Sequence, residues 1–398
     1  MKFLKMIVYF AALTAVSLTA RQGSGSEPAP LVVSVPTKEL MKQFLTELTA
    51  LKVYFVSEEK FVDPKNNAVI LDHLKQFSRL AKTAVHDPVL NQENYKFSRY
   101  VMQEEIVEIE RMFRLGNKTY ARWQLASTAG VCMSCHTQMP KVSQTFSEFS
   151  NSKIFSSDFD RADFLFAIGG FDKAFDLYDK MILGYPKNNL SAEQVETAVE
   201  RQLAYYSRLK RDPKAAIVKM KEYLKNTELS EYTQKNISAW ISQFEIWKKE
   251  PVLDPKTSTD SEIVRYAKNN IEAKWTDSML KARDPSIVMY LRVSGVLYEF
   301  LQSHPNATST PEVLYWLSVC DRSLSTNFFY SFADLYLREC IIRYADTQIA
   351  KRCYREFETQ TVLGYSGSGG SNLPPEVKQD LKRLSNLVNK VKVERHEP

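Results

Sequence analysis

The 398-residue chain has little of what turn-rich β proteins and zinc-binding proteins depend on. It contains 12 glycines, 5 histidines and 5 cysteines. Scarce glycine disfavours an architecture built from many tight turns. Only one close pair of cysteines exists, and the next cysteine is Cys320, so the second ligand pair of a zinc ribbon is missing. Beyond residue 20, no apolar run is long enough to cross a bilayer.

Residues 1–20 have the layout of a secretory signal peptide. Two lysines precede an apolar run, and Ser17-Leu18-Thr19-Ala20 supplies small residues for cleavage near Ala20. Residues 21–36, rich in Gly, Ser and Pro, are expected to form a flexible leader. We therefore expect export, to a bacterial periplasm, and no transmembrane segment after cleavage. The formal charge of +6 gives no reason to expect nucleic-acid binding.

Apolar residues recur at three- and four-residue spacing from Thr37 onwards, which indicates amphipathic helices. The first predicted helix begins at Thr37, and the next two cover about 68–85 and 95–113. A fourth ends near Met139-Pro140. Because short connections join them, the pattern predicts an antiparallel four-helix bundle within residues 37–150, in a chain that is all-α.

One C-x-x-C-H motif, Cys132-Met133-Ser134-Cys135-His136, lies on the fourth predicted helix. On one helical turn both thiols can reach the vinyl groups of a single haem, and the adjacent imidazole then lies under the iron. A thioredoxin-like redox pair would follow a strand, and no strand is predicted before Val131. We expect one covalent haem c, with thioether bonds from Cys132 and Cys135 and with His136 as the proximal iron ligand.

This order of parts resembles that of the cytochrome c-prime and cytochrome c556-like proteins, which are four-helix bundles with C-x-x-C-H on the final helix. The resemblance implies that the group opposite the proximal histidine comes from the first helix, where this chain has Met41. Ligation by Met41 would give a six-coordinate, low-spin haem suited to electron transfer. If Met41 is an ordinary core residue, the open distal site could bind a small gas. His73 and His86 are competing candidates for that position.

After about residue 155 the pattern changes to helical hairpins. Between Ala162 and Pro186, a small residue, glycine, aromatic residues, alanine and tyrosine follow one another at offsets that resemble a tetratricopeptide repeat. We expect repeats of this type over 155–250 and further helical hairpins over 251–398, ending in a capping helix. One of the helices in these hairpins is predicted from Phe328 to Tyr344. Stacked hairpins form an α-solenoid whose concave face can bind a protein partner.

Cys320, Cys340 and Cys353 remain outside the motif. Cys340 and Cys353 lie on adjacent predicted helices, on either side of the turn at 344–347, so a disulfide between them is a candidate. Buried free thiols are the alternative.

Two functions follow from these expectations. The first is an exported monohaem c-type cytochrome that transfers electrons or serves as a redox subunit, with the repeats docking a partner. The alternative is a haem-based gas or redox sensor, or an adaptor, with an open distal site. A scaffold whose haem is vestigial is a third possibility. We expect an electron-transfer or binding protein rather than an autonomous enzyme, since neither a second haem motif nor a dedicated acid–base group is found.

Overall fold

The computed structural model describes residues 37–138, 154–275, 286–324 and 328–390. Within them the chain forms sixteen α-helices and one pair of two-residue strands, Ser366–Gly367 and Gly370–Ser371. The prediction of an all-α chain is confirmed. None of these sixteen helices is both long and apolar enough to span a membrane. The predicted signal peptide and leader lie outside the described residues.

Four long helices and one short helix form the N-terminal region, and their bounds are α1 (Thr37–Phe55), α2 (Glu58–Val62), α3 (Asn67–Thr83), α4 (Lys96–Arg114) and α5 (Lys118–His136). The short helix α2 was not predicted from the sequence. Ser57 caps it by accepting a hydrogen bond from the Lys60 amide at 3.3 Å, and Phe61 is fully buried. Five residues are too few for a helix to form alone, so packing of Phe61 stabilises it.

The long N-terminal helices alternate in direction. The Thr37 hydroxyl donates to the Asp87 carboxylate at 2.7 Å, which ties the start of α1 to the segment after α3. At the other end, the Lys118 ammonium donates to the Asn67 side-chain oxygen at 2.5 Å and so joins the starts of α5 and α3. We use the name motif end for the end of these helices at which α1 and α4 begin and at which α5 ends.

The rest of the chain is a succession of helices, most of which pack on their sequence neighbours. Their bounds are α6 (Asp158–Ala167), α7 (Phe171–Gly184), α8 (Ala192–Ala204), α9 (Pro213–Tyr223), α10 (Glu231–Trp247), α11 (Asp260–Trp275), α12 (Ile287–Ser303), α13 (Thr310–Leu324), α14 (Ala333–Arg343), α15 (Gln348–Gly364) and α16 (Pro375–Lys390). Gly169, at φ +83°, makes the turn between α6 and α7, where a side chain would be strained. The Asp212 carboxylate caps α9, with Pro213 in its first turn.

Buried side chains form two cores that meet along α4 and α5. The N-terminal core takes its residues from α1 to α5, and the larger main core takes most of its residues from α6 to α16. Both α4 and α5 contribute to each core, the main-core members being Phe97, Val101, Val131 and Met133. The turn of α5 that carries the C-x-x-C-H motif is therefore packed against the later helices.

Helix α14 begins later than the sequence pattern predicts. Its pattern pointed to a start at Phe328, but the helix starts at Ala333, and residues 328–332 form a connection. The buried Asp321 carboxylate accepts a hydrogen bond from the Phe332 amide at 3.0 Å, which satisfies a backbone group outside the helix. This connection brings Tyr330 onto α5.

Candidate functional site

The last turns of α5 carry two thiols side by side. Cys132 and Cys135 are free, half-buried cysteines, and the Ser98 hydroxyl of α4 hydrogen-bonds to Cys135. Burial raises the pKa of Cys132 to about 12 and that of Cys135 to about 11. Both are therefore neutral thiols at physiological pH. Thiol–disulfide exchange needs the thiolate, so these pKa values argue against a redox role for this pair.

His136 is held in one orientation by the helix that follows the motif. Its Nδ1 lies 2.6 Å from the carbonyl oxygen of Ala167, the last residue of α6. Because a carbonyl oxygen only accepts, Nδ1 carries the proton and Nε2 has the lone pair. Burial lowers the pKa of His136, which favours the neutral ring. A neutral imidazole whose Nδ1 donates to a carbonyl is the usual form of a metal-binding histidine.

Several buried polar atoms that lack a hydrogen-bond partner within the described residues lie around the motif end of α4. They include Asn94 Oδ1, Arg99 Nε and Gln138 Oε1. Asn94 and Gln138 are at most 2% exposed, and Gln138 Nε2 donates to Ser98 Oγ at 3.5 Å. Buried polar groups in folded proteins are nearly always bonded. These atoms are therefore free to bond to a polar group other than the described residues.

Two residues outside the motif, Glu105 and Tyr330, lie near Cys132. Glu105 of α4 is close enough for its charge to act on the Cys132 thiol, and Tyr330 hydrogen-bonds to Glu105. Tyr330 lies against α5, since its carbonyl accepts a hydrogen bond from Ser134 Oγ at 3.0 Å. Helical spacing was an available signal for Glu105, which is seven residues after Ser98 and so shares its face of α4.

The structure places Met41 and the motif against different cores. Met41 is half-buried and packs on the N-terminal core, whereas Cys132 packs on the main core. Of the competing candidates, His73 pairs with Glu47 at 2.8 Å through Nδ1, and His86 is exposed in the turn after α3. Ligation by Met41 remains a prediction.

The remaining cysteines are also located. A disulfide joins Cys340 of α14 to Cys353 of α15, with 6.3 Å between their Cα atoms. Cys320 is a buried free thiol.

In the described part of the chain, no three His, Cys, Asp or Glu side chains converge to hold a metal ion by themselves. An open cavity of about 470 Å³ lies at the far end of α1 from Met41 and is lined by Ala50, Val53, Tyr54, Lys60, Asn66 and His73.

No model of a protein family, no curated protein and no solved structure matches this chain.

Proposed function

We propose that the protein is an exported monohaem c-type cytochrome, in which Cys132 and Cys135 are bonded to one haem c and His136 is the proximal iron ligand. The observation that carries the proposal is the hydrogen bond from His136 Nδ1 to the Ala167 carbonyl at 2.6 Å. It leaves Nε2 as the ligand atom and fixes the plane of the ring. Since a porphyrin supplies four nitrogens, one oriented imidazole beside two thiols is enough to hold the iron.

The residues around the motif fit such a group. Cys132 and Cys135 would hold the ring through thioethers, and the Arg99 guanidinium would donate to a propionate carboxylate. Burial without a partner lowers the pKa of Arg99, as expected for a cation whose counter-ion is not part of the described chain. The bound haem supplies one-electron chemistry. The chain binds and orients it, and the packing of α5 against the main core limits the access of water to the Cys132 side of the site.

The same proposal extends to the architecture. We infer that α1, α3, α4 and α5 form a bundle of the cytochrome c-prime and c556-like type, supported by their alternating directions. We infer that α6 to α10 are tetratricopeptide-like hairpins and that α11 to α16 extend them into a solenoid that docks a protein partner. Export to the periplasm is supported by the signal-like residues 1–20 and by the Cys340–Cys353 disulfide, because disulfides persist in oxidising compartments.

The test of haem attachment is the mass of the denatured protein after expression with a c-type maturation system. We expect the wild type to retain the mass of one haem, and the double variant Cys132→Ala/Cys135→Ala to lose it. Cys320→Ala, which removes a thiol outside the motif, is the control and should retain the haem. His136→Ala should keep the thioethers but change the optical spectrum. A wild type without covalent haem would refute the proposal.

A second candidate, the haem-based gas sensor or adaptor, is favoured by the position of Met41 in the other core. The optical spectrum of the reduced protein with and without carbon monoxide separates the two functions. A low-spin spectrum that carbon monoxide leaves unchanged would exclude the sensor. A high-spin spectrum that responds to the gas would exclude ligation by Met41, and Met41→Leu should then leave that spectrum unchanged.

A further inference from the structure

Glu105 is a half-buried carboxylic acid beside the turn of α5 that carries Cys132, and attachment of the haem does not itself use it. Its Oε2 is buried and has no hydrogen-bond partner within the described residues. Three elements surround it: α4 carries it, α5 presents Cys132, and the connection before α14 presents Tyr330. Two contacts with α5 hold Tyr330 in place. The Tyr330 carbonyl accepts a hydrogen bond from Ser134 Oγ, and Tyr330 Cβ lies so close to Gly130 that a Cβ added to this glycine would be 3.9 Å away.

We propose that Glu105 takes up a proton when the haem attached at Cys132 and Cys135 is reduced. This inference rests on the proposed function and deepens it. In the balanced step, a one-electron donor protein gives one electron to ferric iron, which becomes ferrous, and one proton from solvent binds the Glu105 carboxylate to give the carboxylic acid. No covalent bond other than the new O–H changes.

The physical basis is the loss of one positive charge next to a poorly solvated carboxylate. Burial already raises the pKa of Glu105 to about 7, while the hydrogen bond from Tyr330 acts in the opposite direction. Ferric iron carries a positive charge that stabilises the carboxylate and lowers its pKa. Reduction removes that charge, so the pKa of Glu105 is higher in the reduced than in the oxidised protein, and a proton binds near neutral pH.

The other titratable groups facing Glu105 do not change charge in this range. The Cys132 thiol no longer titrates once it is a thioether, and its pKa is far above neutral in any case. Burial raises the pKa of Tyr330 well above its usual value, and the Glu105 carboxylate raises it further. Asp334, beyond Tyr330, acts on the phenol rather than on Glu105. A pH dependence between about 6 and 8 would therefore belong to Glu105.

The experiment measures the midpoint potential of the full-length holoprotein at a series of pH values. For the wild type we expect the potential to fall as pH rises from about 6 to 8, by up to a tenfold change in the reduction equilibrium per pH unit, which is about 59 mV for one electron. Glu105→Gln should remove this slope and leave the optical spectrum unchanged. Glu104→Gln, which alters an exposed carboxylate one residue earlier, should keep it.

A second variant tests the proposal if Glu105→Gln fails to fold, and a second measurement tests it without the haem. Tyr330→Phe removes the hydrogen bond that lowers the pKa of Glu105, so the sloping region should move to higher pH. In haem-free protein, infrared spectroscopy should show a carboxyl group titrating near pH 7, in addition to Asp321 near pH 6, and Glu105→Gln should abolish the signal near pH 7 alone. Wild-type protein without haem would refute the proposed function. A haem-bearing wild type whose potential does not vary with pH, or a slope that survives Glu105→Gln, would refute the proton site alone.

Discussion

Asp321 is a carboxylate buried in the main core, and it makes stability depend on pH. It is 4% exposed and accepts hydrogen bonds from the Tyr298 hydroxyl at 3.2 Å and from the Phe332 amide at 3.0 Å. Burial raises its pKa to about 6, although Arg208 and these two hydrogen bonds lower it. The folded protein therefore keeps a proton that the unfolded chain releases at lower pH.

The sign of the effect follows from this difference in pKa. Below about pH 4 the carboxyl is protonated in both states and costs nothing. Between about pH 4 and pH 6 the carboxyl ionises in the unfolded chain but not in the folded protein. The free energy of unfolding therefore falls over this range, and above pH 6 this one group has lowered it by roughly 3 kcal/mol. Asp321→Asn removes the loss, since an amide can still accept from the Phe332 amide and can donate to Tyr298.

We therefore expect the stability of Asp321→Asn relative to the wild type to improve by roughly 2 kcal/mol between pH 4 and pH 6.5. Urea unfolding at both pH values measures it. Asp346→Asn, on an exposed turn, is the control and should show a constant difference. A difference for Asp321→Asn that does not vary with pH would contradict the assignment.

At the candidate site, the sequence alone identifies only the residues of the C-x-x-C-H motif. Cys132, Cys135 and His136 follow from their spacing alone. The partners Ala167 and Tyr330 could not be found, because they come from 31 and 196 residues further along the chain and reach the motif only through packing of the main core. Apolar periodicity places Glu105 within a helix, but it does not show which charged residue of that helix packs against α5.

At the scale of elements, apolar periodicity gave the type and most bounds of the long helices. It missed α2, because five residues show no period, and it began α14 too early. Phe328, Phe329 and Phe332 continue the apolar pattern, yet they are buried in a connection that Asp321 stabilises through a backbone hydrogen bond. Periodicity also could not show that α4 and α5 divide their buried residues between two cores.

The disulfide between α14 and α15 makes an element-scale prediction. Cys340 and Cys353 are 13 residues apart, and closing a loop of about this length stabilises a fold by roughly 3 kcal/mol. Reductant should therefore lower the free energy of unfolding of the wild type by about that amount. Cys340→Ala/Cys353→Ala should unfold at the same guanidinium concentration with or without reductant.

Cys320→Ala is the matched control for this disulfide, since it alters a thiol that forms no bridge. Its response to reductant should equal that of the wild type. Peptide mapping without reduction should recover a cross-linked pair containing Cys340 and Cys353. Recovery of either cysteine joined to Cys320 would overturn the pairing.

At the scale of the whole molecule, the N-terminal helices are tied to the later ones at several separate points. The His136–Ala167 and Ser134–Tyr330 hydrogen bonds tie α5, and the Phe97 and Tyr336 rings meet at 4.9 Å. Salt bridges add further ties, Lys52–Asp160, Lys96–Glu339 and Glu93–Arg343. Because these ties hold the candidate haem site itself, we expect the described regions to unfold together.

The Lys52–Asp160 pair tests this coupling. Lys52 is 4% exposed, its Nζ lies 2.5 Å from Asp160 Oδ1, and the Phe55, Phe155 and Phe164 rings surround the ammonium. Asp160 is more exposed and has a second partner in Ser156. Removing the acid leaves a buried cation without its counter-ion, whereas replacing the lysine by methionine keeps the volume and leaves the acid near solvent.

We therefore expect Asp160→Asn to cost roughly 3 kcal/mol in guanidinium unfolding, and Lys52→Met to cost clearly less. The double variant should be close to Lys52→Met, because no buried charge then remains. Glu39→Gln, which alters an exposed pair with Lys42 at 4.0 Å, should change stability by under about 0.5 kcal/mol. In every variant, far-ultraviolet circular dichroism and the absorbance of the proposed haem should follow one transition. Two separate transitions in the wild type would show that the regions fold independently, and a larger cost for Lys52→Met than for Asp160→Asn would show that the ammonium is not held as a buried charge.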